Sequence, residues 1–340
     1  MFNKQILSKD FSINSKKYNK NLKRSKKAFQ ILRAKIMNSE LPVLQSYKKN
    51  NDFSILENKV KKFRKYENII LIGMGGSILG AKSIYSFFKR RIKKNLFFFD
   101  NLDINQHLKF KKIKNIKKSC YVIISKSGNT LETITNLNIV SSMLNIKKNS
   151  IFITEIKDNI LISIANKIGA EIIEHKDFIG GRYSVFSEVG MFPAALMGLN
   201  IKKFANLNKL INNKNFTTSL IKNVASIYTM MSQGIKNSVV LNYDSQLDDL
   251  SFWYQQLVGE SLGKKGKGIN PTVSFGPKDQ HTLLQLYLDG PKDKFFTFFM
   301  SLNKFDKKKI ISKHGFKSVN FKNNKTLSSI INAQCKATQN

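Results

Sequence analysis

The residue types able to do chemistry gather in five short segments. The richest reads Ser125-Lys126-Ser127-Gly128-Asn129-Thr130-Leu131-Glu132-Thr133, directly after an apolar run at 121–124. Hydroxyls and helix-terminal amides around a dianion can each donate a hydrogen bond, and Gly128-Asn129 suits a backbone with positive φ. A phosphate monoester, with three acceptor oxygens, matches such a cradle; the same residues also spell an ordinary Ser/Thr N-cap with Glu132 in the first turn. A second loop, Gly73-Met74-Gly75-Gly76-Ser77-Ile78-Leu79-Gly80, again follows an apolar run and opens a helix-like stretch, the setting for a backbone anion site. A dinucleotide fingerprint starting at Gly73 would need glycine where Ile78 stands. A phosphate loop starting at Gly75 finds Gly80 in place but then Ala81, with Lys82 one residue late. Asp100, at the end of the next expected strand, imitates the ribose-binding acid of a dinucleotide fold.

Three further segments offer acid, base and charge. In Gly180-Gly181-Arg182-Tyr183-Ser184 the glycines let backbone and guanidinium approach a ligand, and Arg182 could stabilise a developing oxyanion. Glu260 lies near the end of an expected helix, where the negative pole and apolar neighbours such as Leu257 disfavour ionisation and suit a general base. The segment 263–268 after it is rich in glycine and lysine and resembles a mobile stretch over a site. In Asp279-Gln280-His281, His281 is expected in the first turn of a helix starting near Gln280, where the positive pole keeps imidazole neutral. Taken singly, each has an ordinary reading: a surface arginine after a turn, a solvated glutamate, a capping histidine. His107, His175 and His314 lie in no comparable setting, and no spacing suggests a metal site.

The elements that must hold these loops read as an α/β fold. Apolar runs at 68–72, 96–99, 121–124, 151–154 and 171–173 alternate with helix-like stretches near 76–90, 130–145 and 159–168, which implies a parallel sheet covered on both faces. Pro193 is expected to kink the helix in which it falls or mark its late start. A helical zone around 205–235, a strand at 238–241, a helix at 247–262 and a strand at 295–300 suggest a second α/β unit. Gly198, Asn200 and the Lys-Asn stretch 206–215 mark a linker. Residues 1–55 read as helices packing on the rest of the chain. Ligand groups in such folds come from loops at the carboxyl ends of strands.

Composition narrows the partners. The chain has 340 residues, 58 Lys and Arg against 22 Asp and Glu, and a net charge of +36. The basic runs at 61–65, 89–94 and 109–118 are scattered, which suits a solvated surface whose positive field favours anionic substrates; no nucleic-acid partner is expected. Cys120 and Cys335 are far apart and form no C-x-x-C pair, which fits a reducing cytoplasm. Neither a signal peptide nor an apolar run of the roughly 18–20 residues that span a bilayer is present, so secretion and membrane association are not expected.

Together, in this order and at these separations, the five segments resemble the glucose-6-phosphate isomerases from about residue 65 onward. The specific matches are Gly-Gly-Arg-Tyr-Ser, Glu-Ser-Leu-Gly-Lys-Lys-Gly-Lys-Gly, and Asp-Gln-His with the subsequent Gln-Leu-Tyr-Leu-Asp-Gly-Pro. The resemblance implies two three-layer αβα sugar-isomerase (SIS) domains with parallel sheets: a helical N-terminal segment at 1–55, a first domain at 56–204 and a second at 205–340. It implies that Ser125, Lys126, Ser127, Thr130 and Thr133 hold the phosphate of glucose 6-phosphate or fructose 6-phosphate, while Gly76 and Ser77 line the sugar. His281, supplied by the partner of a homodimer, would help open the ring; Glu260 would move the proton between C2 and C1; Arg182 and Gln256 would steady the enediolate. No cofactor or metal is implied. One departure accompanies this: the family carries a further catalytic lysine on a C-terminal helix, and 328–340 resembles only the stretch before it. Either the sequence is truncated or the protein lacks that lysine. Two rival expectations are an isomerase of the same domain type that also takes mannose 6-phosphate, and a non-catalytic sugar-phosphate-binding protein.

Overall fold

Runs of isoleucine, valine and phenylalanine, too short for helices and apolar at every position, form strands buried on both faces. The computed structural model describes residues 15–47, 54–301 and 325–339. Strands β1 (Asn68–Gly73), β2 (Asn95–Phe99), β3 (Ser119–Ile124), β4 (Ser150–Thr154) and β5 (Glu171–Glu174) make one sheet in the order β2-β1-β3-β4-β5. Every pairing is parallel. Alternate side chains serve opposite faces: Ile69, Leu71, Val122 and Ile151 enter one apolar cluster, Ile70, Ile72, Tyr121, Ile123 and Phe152 the other. Each such side chain, fully buried, contributes about 1.5–3 kcal/mol.

Helices α2 (Ser54–Phe63) to α7 (Glu188–Leu196) enclose this sheet, whereas α1 (Ser15–Met37) packs elsewhere. Leu56 and Val60 of α2, Ile84 of α3 (Leu79–Phe88) and Phe192 of α7 cover the first face. Phe110 of α4 (Ile104–Lys111), Leu137 of α5 (Leu131–Met143) and Leu161 of α6 (Ile160–Ile168) cover the second. Pro193 lies inside α7, not at its start. The stretch expected as a linker is instead helical, passing through a 3₁₀ segment (Ile201–Leu207) and α8 (Asn208–Asn212) into α9 (Lys214–Met231).

A second parallel sheet comes next, β6 (Asn237–Asn242), β7 (Asn270–Phe275) and β8 (Lys294–Phe299), in the order β7-β6-β8. The sequence did not announce β7: Pro271, Thr272 and Ser274 break its apolar pattern, which an edge strand tolerates. Helices α9 and α10 (Asp248–Leu262) supply one small apolar cluster, and α12 (Leu327–Gln339) another; α11 (Leu284–Asp289) lies between β7 and β8 in the chain. The N-terminal helix α1 rests on α9, with Asn21 Nδ2 donating to Thr229 Oγ1 at 3.0 Å and Lys17 Nζ to the Ser232 carbonyl at 2.7 Å.

The basic runs occupy one end of the first sheet. Those at 61–65, 89–94 and 109–118 immediately precede β1, β2 and β3, whereas the candidate ligand loops come after those strands. A strand of five or six residues is about 17–20 Å long, beyond the Debye length of about 8 Å at physiological salt. At that distance these runs themselves add little to the field at the loops. Among the described residues, no helix is long and apolar enough to cross a membrane.

Candidate active site

In the first sheet the chain runs outward from β1 to β2 on one side and from β3 to β4 on the other, so the switch point lies between β1 and β3. Gly73 and Ile124, the last residues of those strands, are paired neighbours, and the two glycine-bearing loops leave the sheet side by side. A Cβ on Gly73 would lie 2.9 Å from the Ile124 carbonyl oxygen, so glycine permits this approach. Crevices at such switch points are where open parallel sheets bind ligands.

The loop after β3 is organised by its own hydroxyls. Ser125 Oγ lies 2.8 Å from Thr130 Oγ1 and accepts the Gly128 N–H at 3.2 Å; Ser127 Oγ accepts the Asn129 N–H at 3.3 Å. Gly128 has φ +69°, and a Cβ there would sit 1.9 Å from Asn159 Oδ1. Thr130 occupies the N-cap position of α5, yet its hydroxyl makes no cap and turns to Ser125. The ordinary N-cap reading therefore does not describe it. Thr133 stands behind the loop, fully buried, and its Oγ1 has no hydrogen-bond partner among the described residues. The Lys126 ammonium is turned aside: it donates to the Asp177 carbonyl and lies 3.5 Å from Glu155. Lys157 first, then Lys126, hold the Glu155 carboxyl below the usual carboxylate range.

The loop after β1 carries no lysine toward a phosphate. Lys82 Nζ bonds Asp100 Oδ2 at 2.6 Å and lies 3.7 Å from Asp249. One ion pair thus occupies both residues that had imitated nucleotide-binding motifs. Gly75, at φ +52°, and Gly76 are instead built for close packing: a Cβ on Gly76 would lie 2.3 Å from the backbone of Gly181. Ser184 Oγ, buried, bridges the two loops, within 2.9 Å of the Gly76 carbonyl and 2.7 Å of that of Gly181. Ser77 is half-buried in the 3₁₀ turn that opens α3.

This packing brings Arg182 to α10. Arg182 Nη1 lies 3.3 Å from Glu260 Oε2, and Gln256 Nε2 donates to Glu260 Oε1 at 2.7 Å. The four-residue spacing puts Gln256 and Glu260 on one helix face. Gln256 also meets the glycine loop, its Nε2 3.1 Å from where a Gly75 Cβ would stand, and its Oε1 is buried without a hydrogen-bond partner among the described residues. Arg182 Nε donates to Ser261 Oγ at 3.0 Å, the Tyr183 hydroxyl is 3.2 Å from the same oxygen, and the guanidinium lies 4.6 Å from the Tyr183 ring centroid. Ser261's hydrogen bond, then the guanidinium, lower the Tyr183 phenol's pKa; Tyr183, then Glu260, raise that of Arg182. The hydrogen-bonding partners of Glu260 are thus a guanidinium and an amide. Neither Tyr183 nor Ser261 was singled out from sequence, although each adjoins a residue that was.

His281 stands elsewhere. It is not in a helix's first turn: a short 3₁₀ turn (Lys278–Gln280) precedes it and α11 begins only at Leu284. The positive helix pole expected beside it is therefore absent. Its neighbours are pinned, Asp279 Oδ2 accepting from the Phe275 N–H at 2.6 Å and Gln280 Nε2 donating to the Tyr243 hydroxyl at 2.8 Å. The imidazole is exposed, with no hydrogen bond to a described residue and none linking it to Glu260 or Arg182. His175 is buried 3.7 Å from Glu188, and His314 lies outside the described residues.

The chain resembles known proteins in both sequence and fold. Residues 32–326 match the family profile described as phosphoglucose isomerase. The chain is 38% identical over 257 residues to the glucose-6-phosphate isomerase of Methanocaldococcus jannaschii, covering 72% of this chain and 62% of that protein. It is 33% identical over 286 residues to that of Campylobacter jejuni, covering 80% of this chain and 70% of that protein. It spans less than two thirds of the Methanocaldococcus protein's length, and 66% of that of a Methanococcus maripaludis relative. The fold is shared with a hypothetical protein of Thermus thermophilus (TM-score 0.80, 23% identity, 95% of this chain and 82% of that one). It is shared also with a glucose-6-phosphate isomerase structure from Chlamydia trachomatis (TM-score 0.66, 18% identity, 99% of this chain and 62% of that one). Sequence match and shared sheet architecture lead to one assignment: the chain belongs to the phosphoglucose isomerase family.

Proposed function

We propose that the chain interconverts glucose 6-phosphate and fructose 6-phosphate as a metal-independent aldose–ketose isomerase. The observation that carries this reading is the meeting of Glu260, Gln256 and Arg182 against the Gly75-Gly76 loop, at a switch point whose other loop presents Ser125, Ser127 and Thr130. The hydroxyl loop and its amides hold the phosphate, with Thr133 supporting the loop from behind; Lys126 joins them once it leaves Glu155. Gly76 and Ser77 bound the sugar. With the ring open, Glu260 takes the proton from C2 of the aldose and returns it to C1 through a cis-enediol. Arg182 offsets the charge growing on the enediolate oxygen, and Gln256 orients the carboxylate. His281 assists ring opening from the partner subunit of a homodimer, a role its exposure and lack of an intrachain partner among the described residues support. The division into a helical segment (1–55) and two sugar-isomerase domains (56–204 and 205–340) belongs to the same proposal, as does a cytoplasmic location, supported by the unpaired, buried cysteines.

The reaction leaves an isotopic signature. Fructose 6-phosphate incubated with the full chain in D₂O is expected to yield glucose 6-phosphate carrying deuterium at C2. The Glu260→Gln variant should bind the sugar phosphate but lose on the order of 10²–10⁴-fold of that conversion, the contribution of a positioned acid or base. Conversion without any solvent-derived deuterium, or full activity in the variant, would contradict the enediol route.

A further inference from the structure

Among the described residues, Arg182 is the one cation in contact with the proposed base, and its usefulness depends on where its remaining donors point. A guanidinium has five N–H groups on a rigid plane, mounted on a flexible stem. One is engaged by Glu260 at 3.3 Å and the Nε–H by Ser261 at 3.0 Å, while the Tyr183 ring lies against the group at 4.6 Å. Contacts at the tip, on the edge and against the ring together restrict rotation about the side chain's last bonds. The other N–H groups on the same plane are left to face an oxyanion.

Ser261 is common to these constraints. It accepts from Arg182 and is within 3.2 Å of the Tyr183 hydroxyl, so one oxygen holds both residues of the Arg-Tyr pair. It also comes directly after Glu260, in the last turn of α10. Base and guanidinium are therefore registered by adjacent residues of a single helical turn, across a sequence separation of 78. Ser261 is half-buried, and its hydroxyl meets both Arg182 and Tyr183. The lowered Tyr183 phenol pKa agrees with a hydrogen bond between the two hydroxyls.

We infer that Ser261 is a positioning residue: with Tyr183 it fixes the Arg182 guanidinium so that its free donors face the enediolate formed beside Glu260. The inference rests on the proposed isomerase reading, and a binding comparison separates the two. Two five-carbon phosphates are titrated calorimetrically into the full chain: an aldonate whose carboxylate imitates the enediolate's charge, and the corresponding neutral alditol. Wild-type protein is expected to prefer the aldonate. Ser261→Ala should weaken the aldonate about tenfold, the size of a lost hydrogen bond to a charged group, while the alditol stays within about twofold. Ser261→Thr, which restores the hydroxyl, should recover most of the preference; Tyr183→Phe, which keeps the ring, should lose part of it. In turnover, Ser261→Ala should lower kcat with KM nearly unchanged. If wild type binds both compounds and Ser261→Ala weakens neither, or both equally, the positioning role is wrong while the site assignment stands. If wild type binds neither, the sugar-phosphate reading fails and the inference with it.

Discussion

The two parallel sheets are covered very differently. The five-stranded sheet has an extensive apolar cluster on each face, the first containing Ile69, Leu71, Phe192 and Leu196, the second Ile72, Phe152 and Leu161. The three-stranded sheet is served by two small clusters, one around Met230, Ile235, Ile269 and Phe295, the other around Leu241, Tyr243 and Cys335. The glycine and hydroxyl loops rise from the first sheet. Glu260 comes from α10, a helix placed after β6 of the second. Yet α10 is anchored to the first unit: Ser83 Oγ donates to the Asp249 carbonyl at 2.8 Å, Ser86 bonds the Asp249 carboxylate, and Trp253 packs on the first core. The helix carrying the proposed base is thus held by both units: by the first through α3 and Trp253, and by the second through Val258 and the Gln255 bond to the Pro271 carbonyl. Its geometry should therefore track α3 and the first sheet as well as the sheet that follows it in the chain.

The severest way to break this comparison is at the contact between glycines. In Gly76→Ala the new methyl would stand 2.3 Å from the Gly181 backbone, so the loop carrying Arg182 must move away from the one it leans on. Overpacking of this kind costs about 1–3 kcal/mol, and a displacement near 1 Å at a reacting centre can cost about 10²-fold in rate. We expect the variant to fold, to melt several degrees lower, and to lose most of its isomerase activity. Wild-type activity in that variant would show that the loops need not touch.

A milder break is Asp249→Asn. It weakens the links to Lys82 and Ser86 that hold α10 against α3, while leaving Glu260, Gln256 and Arg182 intact. The expected outcome is a fall in kcat of a few-fold. An unchanged kcat would mean that α10 takes its position from its own sheet.

The smallest effect sharpens the contrast without touching the site. Cys120 lies in β3 within the first unit's core, its thiol pushed up to about 12 by burial, and Cys335 lies in α12 within one of the small clusters. Both are inert in the closed state, so labelling by a thiol reagent under native conditions reports local opening. Mass spectrometry should find Cys335 modified well before Cys120. Equal rates would mean that the two units open together.

How much of this was readable in advance depended on range. β1, β3 and β4 announced themselves because strands buried on both faces are apolar throughout; β7, at an edge with Pro271, Thr272 and Ser274, had no such obligation. Asp279 looked like the start of a helix, but its carboxylate reaches backward to the Phe275 N–H and Ser274 hydroxyl, closing a turn, and the helix starts later. The chemical residues were legible as types. Their partners were not: nothing near Lys126 in sequence foretells Glu155 and the Asp177 carbonyl, and no local pattern joins Arg182 to Ser261. The family resemblance supplied roles, whereas the hydroxyl that orients the arginine required coordinates.

The central claim is that this chain performs the isomerisation and does not merely hold its substrate. A coupled assay on the full chain, run from glucose 6-phosphate and separately from fructose 6-phosphate, tests it most directly. The account predicts sustained turnover in both directions toward the same equilibrium mixture. Saturable binding of either sugar phosphate with no conversion in either direction would contradict it.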